Sequence, residues 1–315
     1  MHPEVLVEAV FLISSFVKNY SCVYSQRLFS NSLSSLLEAC TSYANLREGE
    51  KVNLISDHVP SHKKPVGDEQ FGYYLAGLIE GDGYINSFKP NIVITFHIND
   101  APVAYYIKKC IGYGVVDKMK DKNALVYRAN IDGTIVIAKL INGKLRTDKI
   151  DKFNNLLELI NKQIDTPIIP QEKNISKLTD SYWLAGFSDA DGSFQIKTIN
   201  RKDRKFGYEI RLNYQIDQKN KLVLEQVKEI FGGSIGYRKT QDTFYYGSVN
   251  FGSAKKVINY FDHFNLLSSK YVNYLKWRKV YRLVQRKEHL TKKGIDKILK
   301  IKSTMNSYSK DTFEI

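Results

Sequence analysis

Two short runs of this chain pair carboxylates with glycine at the end of an apolar helix: Leu75-Ala76-Gly77-Leu78-Ile79-Glu80-Gly81-Asp82-Gly83 and Leu184-Ala185-Gly186-Phe187-Ser188-Asp189-Ala190-Asp191-Gly192. A helix C-terminus carries partial negative charge, so acids placed there are locally unfavourable and call for a positive partner. Hard divalent cations, held by carboxylate oxygens with water and phosphate completing the shell, fit this better than zinc, for which the sequence has no Cys/His set. Such ions activate water and stabilise a leaving oxygen in phosphodiester hydrolysis. Asp-Gly at a helix end is also a turn signal, but one turn signal does not account for two copies that share Leu-Ala-Gly before it.

The small residues of each run recur four apart, Gly77 with Gly81 and Gly186 with Ala190, and so share one helical face. Without side chains on that face, two helices can meet backbone to backbone. Paired in this way, they bring Asp82 and Asp191 together near a pseudo-two-fold axis.

The elements around the two runs repeat as well, which must be settled before any fold assignment. After the first run come strand-like segments at Tyr84–Phe88 and Asn91–Ile98, a helix over Ala101–Ile111 stopped by Gly112, strands near Gly114–Lys118 and Ala124–Ala129, a helix over Gly133–Ile141 and a lysine-rich helical stretch to Leu159. After the second come strands at Ser193–Ile199 and Tyr208–Ile216, a helix over Lys221–Phe231 stopped by Gly232-Gly233, strands at Ser234–Lys239 and Phe244–Phe251, and helices over Ala254–Phe264 and Tyr271–Arg286. We divide the chain into an extension (1–66), a first half (67–164), a linker (165–178) stiffened by Pro167 and Pro170, and a second half (179–315) ending in basic helices.

Period-two alternation places Leu212, Tyr214 and Ile216 on one face and Arg211, Asn213, Gln215 and Asp217 on the other. Over Ser87–Asn99, Thr95, His97 and Asn99 alternate with Ile94, Phe96 and Ile98. A polar antiparallel face of this kind suits base edges in a major groove. Lys118, Lys120, Arg128, Lys197, Arg238 and Lys239 extend the set of candidate DNA contacts.

The balance of charge agrees: 47 Lys and Arg against 33 Asp and Glu give a net charge of +14, which favours a polyanionic partner. The longest apolar run, Val5 to Val17, carries Glu8 and is shorter than a membrane-spanning helix, so no membrane is expected. Cys22, Cys40 and Cys110 are too scattered for a zinc ribbon, and Pro60 keeps His58 and His62 off a regular helix, leaving them loop histidines. The serine-rich extension lacks strand alternation and is read as lying outside the working core, either exon-derived or targeting; Glu4, Glu8 and Glu38 argue against an acid-poor transit peptide.

On these motifs the chain resembles the LAGLIDADG homing endonucleases, in particular the single-chain, two-motif kind encoded in group I introns of organelles. The likeness covers about residues 68–307, including Arg286-Lys287-Glu288-His289-Leu290-Thr291. It implies an α+β fold of two pseudo-two-fold-related αββαββα half-domains, each laying a four-stranded antiparallel β-saddle along the DNA major groove. It implies double-strand DNA cleavage with Mg²⁺ or Mn²⁺ held by Asp82 and Asp191, and Glu80 and Asp189 supporting the helix ends. The family's polar position after the second strand matches Asp100 in one half and Gln218 in the other, with Gln218 expected to orient a water. Lys149 and Lys270 match lysines that stabilise charge on the phosphate.

Opposed phosphates across a narrow minor groove imply short 3′ overhangs. The expected protein is a monomer that acts on a long, imperfectly palindromic site; high Lys, Asn, Ile and Tyr usage fits an AT-rich genome, and together with the family resemblance this implies a mitochondrion. Two alternatives share the scaffold: a maturase acting on its own group I intron RNA, alone or alongside cleavage, and a DNA-binding protein that does not cut.

Overall fold

The computed structural model describes residues 54–86, 88–248 and 250–305. Most of the extension, with Cys22, Cys40 and the Val5–Val17 run, lies outside the described residues, as do Ser87 and the last ten positions of the second half. Both halves belong to one compact unit that begins at Ile55.

The first half runs α1 (Gly67–Asp82), β1 (Gly83–Asn86), β2 (Asn91–His97), α2 (Ala101–Ile111), β3 (Val115–Lys118), β4 (Ala124–Arg128), α3 (Ile131–Ile141) and α4 (Lys149–Asn161). The second runs α5 (Trp183–Asp191), β5 (Gly192–Asn200), β6 (Tyr208–Gln218), α6 (Leu222–Phe231), β7 (Ser234–Arg238), β8 (Thr243–Gly247), α7 (Phe251–His263), α8 (Lys270–Gln285) and α9 (Lys292–Ser303). Each half holds an antiparallel four-stranded sheet, ordered β1-β2-β4-β3 and β5-β6-β8-β7. This is the expected α+β architecture of two αββαββα halves, each extended by a further helix, α4 and α8, with α9 added after the second.

Local chemistry explains the element ends. Gly112 takes φ +81° to close α2, and Gly232 takes φ +74° after α6. Asn130, Asn250 and Thr291 accept from the N–H three residues on and so cap α3, α7 and α9. The Asn250 cap corrects the expected strand to Phe251: β8 stops at Gly247 and Phe251 opens a helix. Strand β2 likewise stops at His97, whose Nδ1 accepts from Asn99 N at 3.2 Å, so Asn99 lies in a short 3-10 turn over Ile98–Asp100 and not on the strand. Strand β1 ends at Asn86, whose Oδ1 accepts from the N–H groups of Phe88 and Lys89 in the hairpin turn.

Helices cover one face of each sheet. Behind the second sheet, Phe194 stacks on Tyr214 and meets Phe261 and Trp277 edge-on at ring separations of 5.2–5.5 Å. Among the described residues, the other face of each sheet carries no helix.

The short stretch 55–66 corrects, for the end of the extension, the expectation that it lies outside the working core. Ile55 exchanges two hydrogen bonds with the Gln285 side chain, Asp57 pairs with Arg286 at 2.9 Å, and the Arg278 guanidinium donates to His58 O. It has no regular secondary structure, in keeping with Pro60, yet residues 55–58 are fastened to α8 and His62 and Lys63 to the loop before it.

Candidate active centre and nucleic-acid face

Helices α1 and α5 cross with their backbones in contact. A Cβ on Gly77 would overlap Trp183 O and lie 2.8 Å from Phe187 N; one on Gly186 would overlap Tyr74 O and lie 3.0 Å from Leu78 N. Gly81 faces Ala190 across the same seam. The final glycines do a different job from the turn signal considered above: Gly83 and Gly192 have extended backbones, φ −78° and −79°. A side chain on Gly83 would strike Ile79 Cα at 2.6 Å, and one on Gly192 would strike Ser188 O at 2.8 Å. Glycine here lets the first strand fold tightly back over the helix end.

The two acids of each run have separate environments. Glu80 is buried and accepts from Arg146 N at 2.8 Å, from Thr147 N, and from Trp183 Nε1 of the opposite helix at 2.7 Å. Asp189 is its counterpart, accepting from Leu267 N at 2.7 Å, from the Ser268 amide and hydroxyl, and from Tyr74 OH of the opposite helix at 2.8 Å. These carboxylates therefore hold the loop before α4 and the loop before α8, each in its own half, and stitch the two helices together. Burial raises the pKa of both, against the hydrogen bonds that favour the anions.

Asp82 and Asp191 lie at the seam's end, Asp82 open to solvent on one side. A Cβ on Gly81 would come within 3.1 Å of Asp191 Oδ2, which places the second acid beside the first helix. Partial burial and the Asp82 charge push Asp191 up to about 6. Burial raises Asp82 too, opposed by Lys270 and Lys149 and reinforced by Asp100. Gln218 Nε2 donates to Asp191 Oδ2 at 2.6 Å. Asp100, the matching position in the first half, instead accepts from Ser269 N at 2.6 Å, across the pseudo-two-fold. The two centres are therefore built differently.

The lysines supply the positive charge that the helix ends require. Lys149 Nζ donates to Ile79 O, Gly81 O and Gly83 O at 2.8–3.0 Å, and Lys270 Nζ donates to Ala190 O and, at 3.3 Å, Ser188 O. Each ammonium caps a carboxylate-bearing helix end, so direct contact with a phosphate is not its resting arrangement.

Because the folded-state pKa of Asp191 is raised, the native chain binds that proton more tightly than the unfolded chain does. Its contribution to stability is fully present near pH 4 and is lost as pH rises through about 6. Discounted for partial exposure, the loss is about 1–2 kcal/mol. Glu80 and Asp189 act with the same sign. In EDTA-treated protein the melting temperature is expected to fall between pH 5 and pH 7.5, and Asp191→Asn to flatten that slope, as followed by circular dichroism.

Strand register sorts the candidate DNA contacts. Thr95, His97 and Arg128 lie on the uncovered face of the first sheet, and Lys197, Arg211, Asn213, Gln215 and Arg238 on that of the second. Lys118 does not join them: it pairs with Leu125, whose side chain is in the core, so it points to the helix side of an edge strand. Asn99, Lys120 and Lys239 are exposed in turns beyond the strands. The register adds Gln195 and Glu209, which period-two alternation across paired strands would have found, and keeps Asp217 on the face where alternation put it.

On the second sheet these groups are already interlinked. Asn213 Nδ2 donates to both Gln195 and Gln215 at 3.2 Å, Gln215 donates to Asp217 at 2.8 Å, and Arg238 and Arg211 pair with Asp217 and Glu209. Asn213 Oδ1 is buried with no partner among the described residues. The first sheet is less polar, with Tyr84, Val93, Val115 and Val126 on the same face as Thr95 and His97.

The donor set at the seam suits a hard divalent cation. Both converging groups are carboxylates, and they carry like charge close enough to raise one pKa, which a cation would relieve. Among the described residues no cluster of three or more His, Cys, Asp or Glu side chains forms a closed site. The residues therefore fit an ion whose shell is completed by water and substrate oxygens.

Residues 184–281 match the family model described as LAGLIDADG endonuclease. The uncharacterized cox1 intron-2 37.2 kDa protein of Schizosaccharomyces pombe is 50% identical over 282 residues, 86% of this chain and 83% of that protein. The intron-encoded DNA endonuclease aI3 of Saccharomyces cerevisiae is 28% identical, over 69% of this chain and 64% of its own length. Among solved structures, the meganuclease I-AabMI bound to uncleaved DNA superposes with a TM-score of 0.62 at 22% identity, covering 75% of this chain and 99% of that one, a likeness of fold. With two glycine-seamed helices delivering paired acids between two uncovered sheets, the chain belongs to the LAGLIDADG endonuclease family.

Proposed function

We propose that the protein is a site-specific endonuclease that cuts both strands of duplex DNA at a long, imperfectly palindromic site, with Mg²⁺ or Mn²⁺ and leaving short 3′ overhangs. The observation that carries this reading is the convergence of Asp82 and Asp191 at the end of a backbone-to-backbone helix pair flanked by two uncovered sheets. Two such sheets end to end span about two helical turns, on the order of 20 bp. Their basic and amide side chains supply donors and acceptors for base edges, and the unpaired Asn213 Oδ1 offers an acceptor to a base donor.

In this reading Asp82 and Asp191 hold the cation, which would activate water and stabilise the leaving oxygen. Gln218 fixes the rotamer of Asp191 through its amide and leaves its own carbonyl oxygen to orient a water. Asp100, locked to Ser269 N, adds negative charge at the Asp82 centre. Lys149 and Lys270 neutralise the helix ends, so the acids can remain ionised there. The reading includes a monomer encoded in a mitochondrial intron. It takes residues 67–164 and 179–315 as the two halves and 165–178 as their linker.

The test is cleavage of plasmid carrying the intron-free exon junction of the host gene, with Mg²⁺ and with EDTA. Linear product with 3′ overhangs only in the presence of metal is expected. Binding without cutting under Mg²⁺ and Mn²⁺ overturns the nuclease reading, and faster splicing of the intron RNA in the same preparation would then assign the scaffold to a maturase.

A further inference from the structure

Every residue from Asn265 to Lys270 is tied to something outside its loop. Lys63 N donates to Asn265 Oδ1 at 2.6 Å, and His62 Nε2 donates to Leu266 O at 2.8 Å. Leu267 and Ser268 hold Asp189, Ser269 N holds Asp100, and Lys270 caps the end of α5. The loop backbone thus links the segment entering α1 to Asp189 and Asp100. His62 is seated by its ring against Tyr271, centroids 4.4 Å apart, and Lys64 Nζ lies 4.4 Å over the Tyr106 ring of the first half.

The pseudo-two-fold partner of this arrangement is the linker entering α5. Asn174 N donates to Leu145 O at 2.7 Å, in the loop whose next two amides hold Glu80 and whose Lys149 caps α1. Asn174 Oδ1 and the Ser176 hydroxyl and carbonyl accept from the Arg146 guanidinium at 2.7–2.9 Å. Each entering segment therefore reaches across the molecule to the loop of the opposite half. The two loops meet different centres: Ser269 N of one holds Asp100, whereas Lys149 of the other lines one cavity with Gln218, the partner of Asp191, and its neighbour Asp148 accepts from Asn220 just beyond that glutamine.

Resting on the endonuclease reading, we propose that the segments entering the two motif helices are crossed clamps: His62 and Lys63 position the Asp82–Asp100–Lys270 centre, and Asn174 positions the Asp191–Gln218–Lys149 centre. Loss of one clamp then loosens one centre, so the two clamps govern different strands. A general structural role would slow both strands together.

The test uses the full chain carrying His62→Ala or Asn174→Ala, and a duplex target with each strand labelled separately, in Mg²⁺. His62→Ala is expected to slow one strand at least tenfold and the other less than twofold, so that nicked DNA accumulates. Asn174→Ala should nick the opposite strand. His62→Gln, whose amide can still donate to Leu266 O, should restore the rate, and affinity for the target in Ca²⁺ should stay within twofold. Equal slowing of both strands, or the same strand slowed by both variants, overturns the proposal. Amide hydrogen exchange decides the clamp even if the wild type cuts neither strand: Leu267–Ser269 amides should exchange at least tenfold faster in His62→Ala, and unchanged exchange overturns it.

Discussion

Asp82→Asn and Asp191→Asn are each expected to lower double-strand cleavage by on the order of 10³-fold, the scale of removing a principal electrostatic contributor from an active site. Each change keeps the side-chain shape and removes one negative charge from the pair at the seam. Target binding in Ca²⁺ should persist, because the uncovered sheet faces are untouched. The two variants should still differ in stability. Asp191 is held at about 6 by burial and by Asp82, so its ionised form at neutral pH is unfavourable, and an amide can present its oxygen to Gln218 Nε2 without that charge. Asp191→Asn should therefore melt a few degrees above wild type in EDTA, the expected trade of stability against function. Asp82→Asn should gain less, since Asp82 is more open to solvent and faces Lys270 and Lys149. Single-turnover cleavage with a labelled target, together with calorimetry, measures both. A variant that retains more than a tenth of wild-type cleavage would remove its acid from the proposed metal site.

Much of the centre was legible because it is written twice. Gly77 and Gly186 stand at matching places in two similar runs, and spacing of four puts each with its companion small residue on one face. What the pattern could not convey is long-range. The C-terminal carbonyls of α1 are capped by Lys149, 66 to 70 residues away in sequence, and no local periodicity marks a lysine that turns inward. The entering segment 55–66 read as lying outside the working core because its hydrogen bonds reach residues 202 to 230 positions away. Strand ends failed for a local reason: His97 and Asn250 offer the backbone side-chain acceptors that compete with continued strand. Lys118 was misassigned because a basic residue near a strand names a candidate without a face, whereas the face depends on its pairing with Leu125.

The seam itself should be the least tolerant part of the molecule. Gly77→Ala or Gly186→Ala places a methyl against the opposite backbone, Trp183 O or Tyr74 O, which cannot rotate away as a side chain can. The helices would have to separate, at a cost of about 3 kcal/mol or more, the upper range for overpacking. Either variant should therefore unfold at markedly lower urea and lose cleavage as Asp82 and Asp191 move apart. Gly81 differs, because its added methyl would meet the Ala190 methyl, a contact between two Cβ groups. Gly81→Ala should destabilise by about 1–3 kcal/mol. The Gly81→Ala/Ala190→Gly double variant moves the single methyl to the other helix and should recover most of that loss. A coupling energy of at least about 1 kcal/mol in this cycle is expected for residues in direct contact, and purely additive changes would mean that the two helices do not meet at this pair. The exchange also bears on the centre, since Gly81 faces Asp191 Oδ2. With folding restored, any remaining deficit in cutting isolates the part of the seam that sets the separation of the two acids.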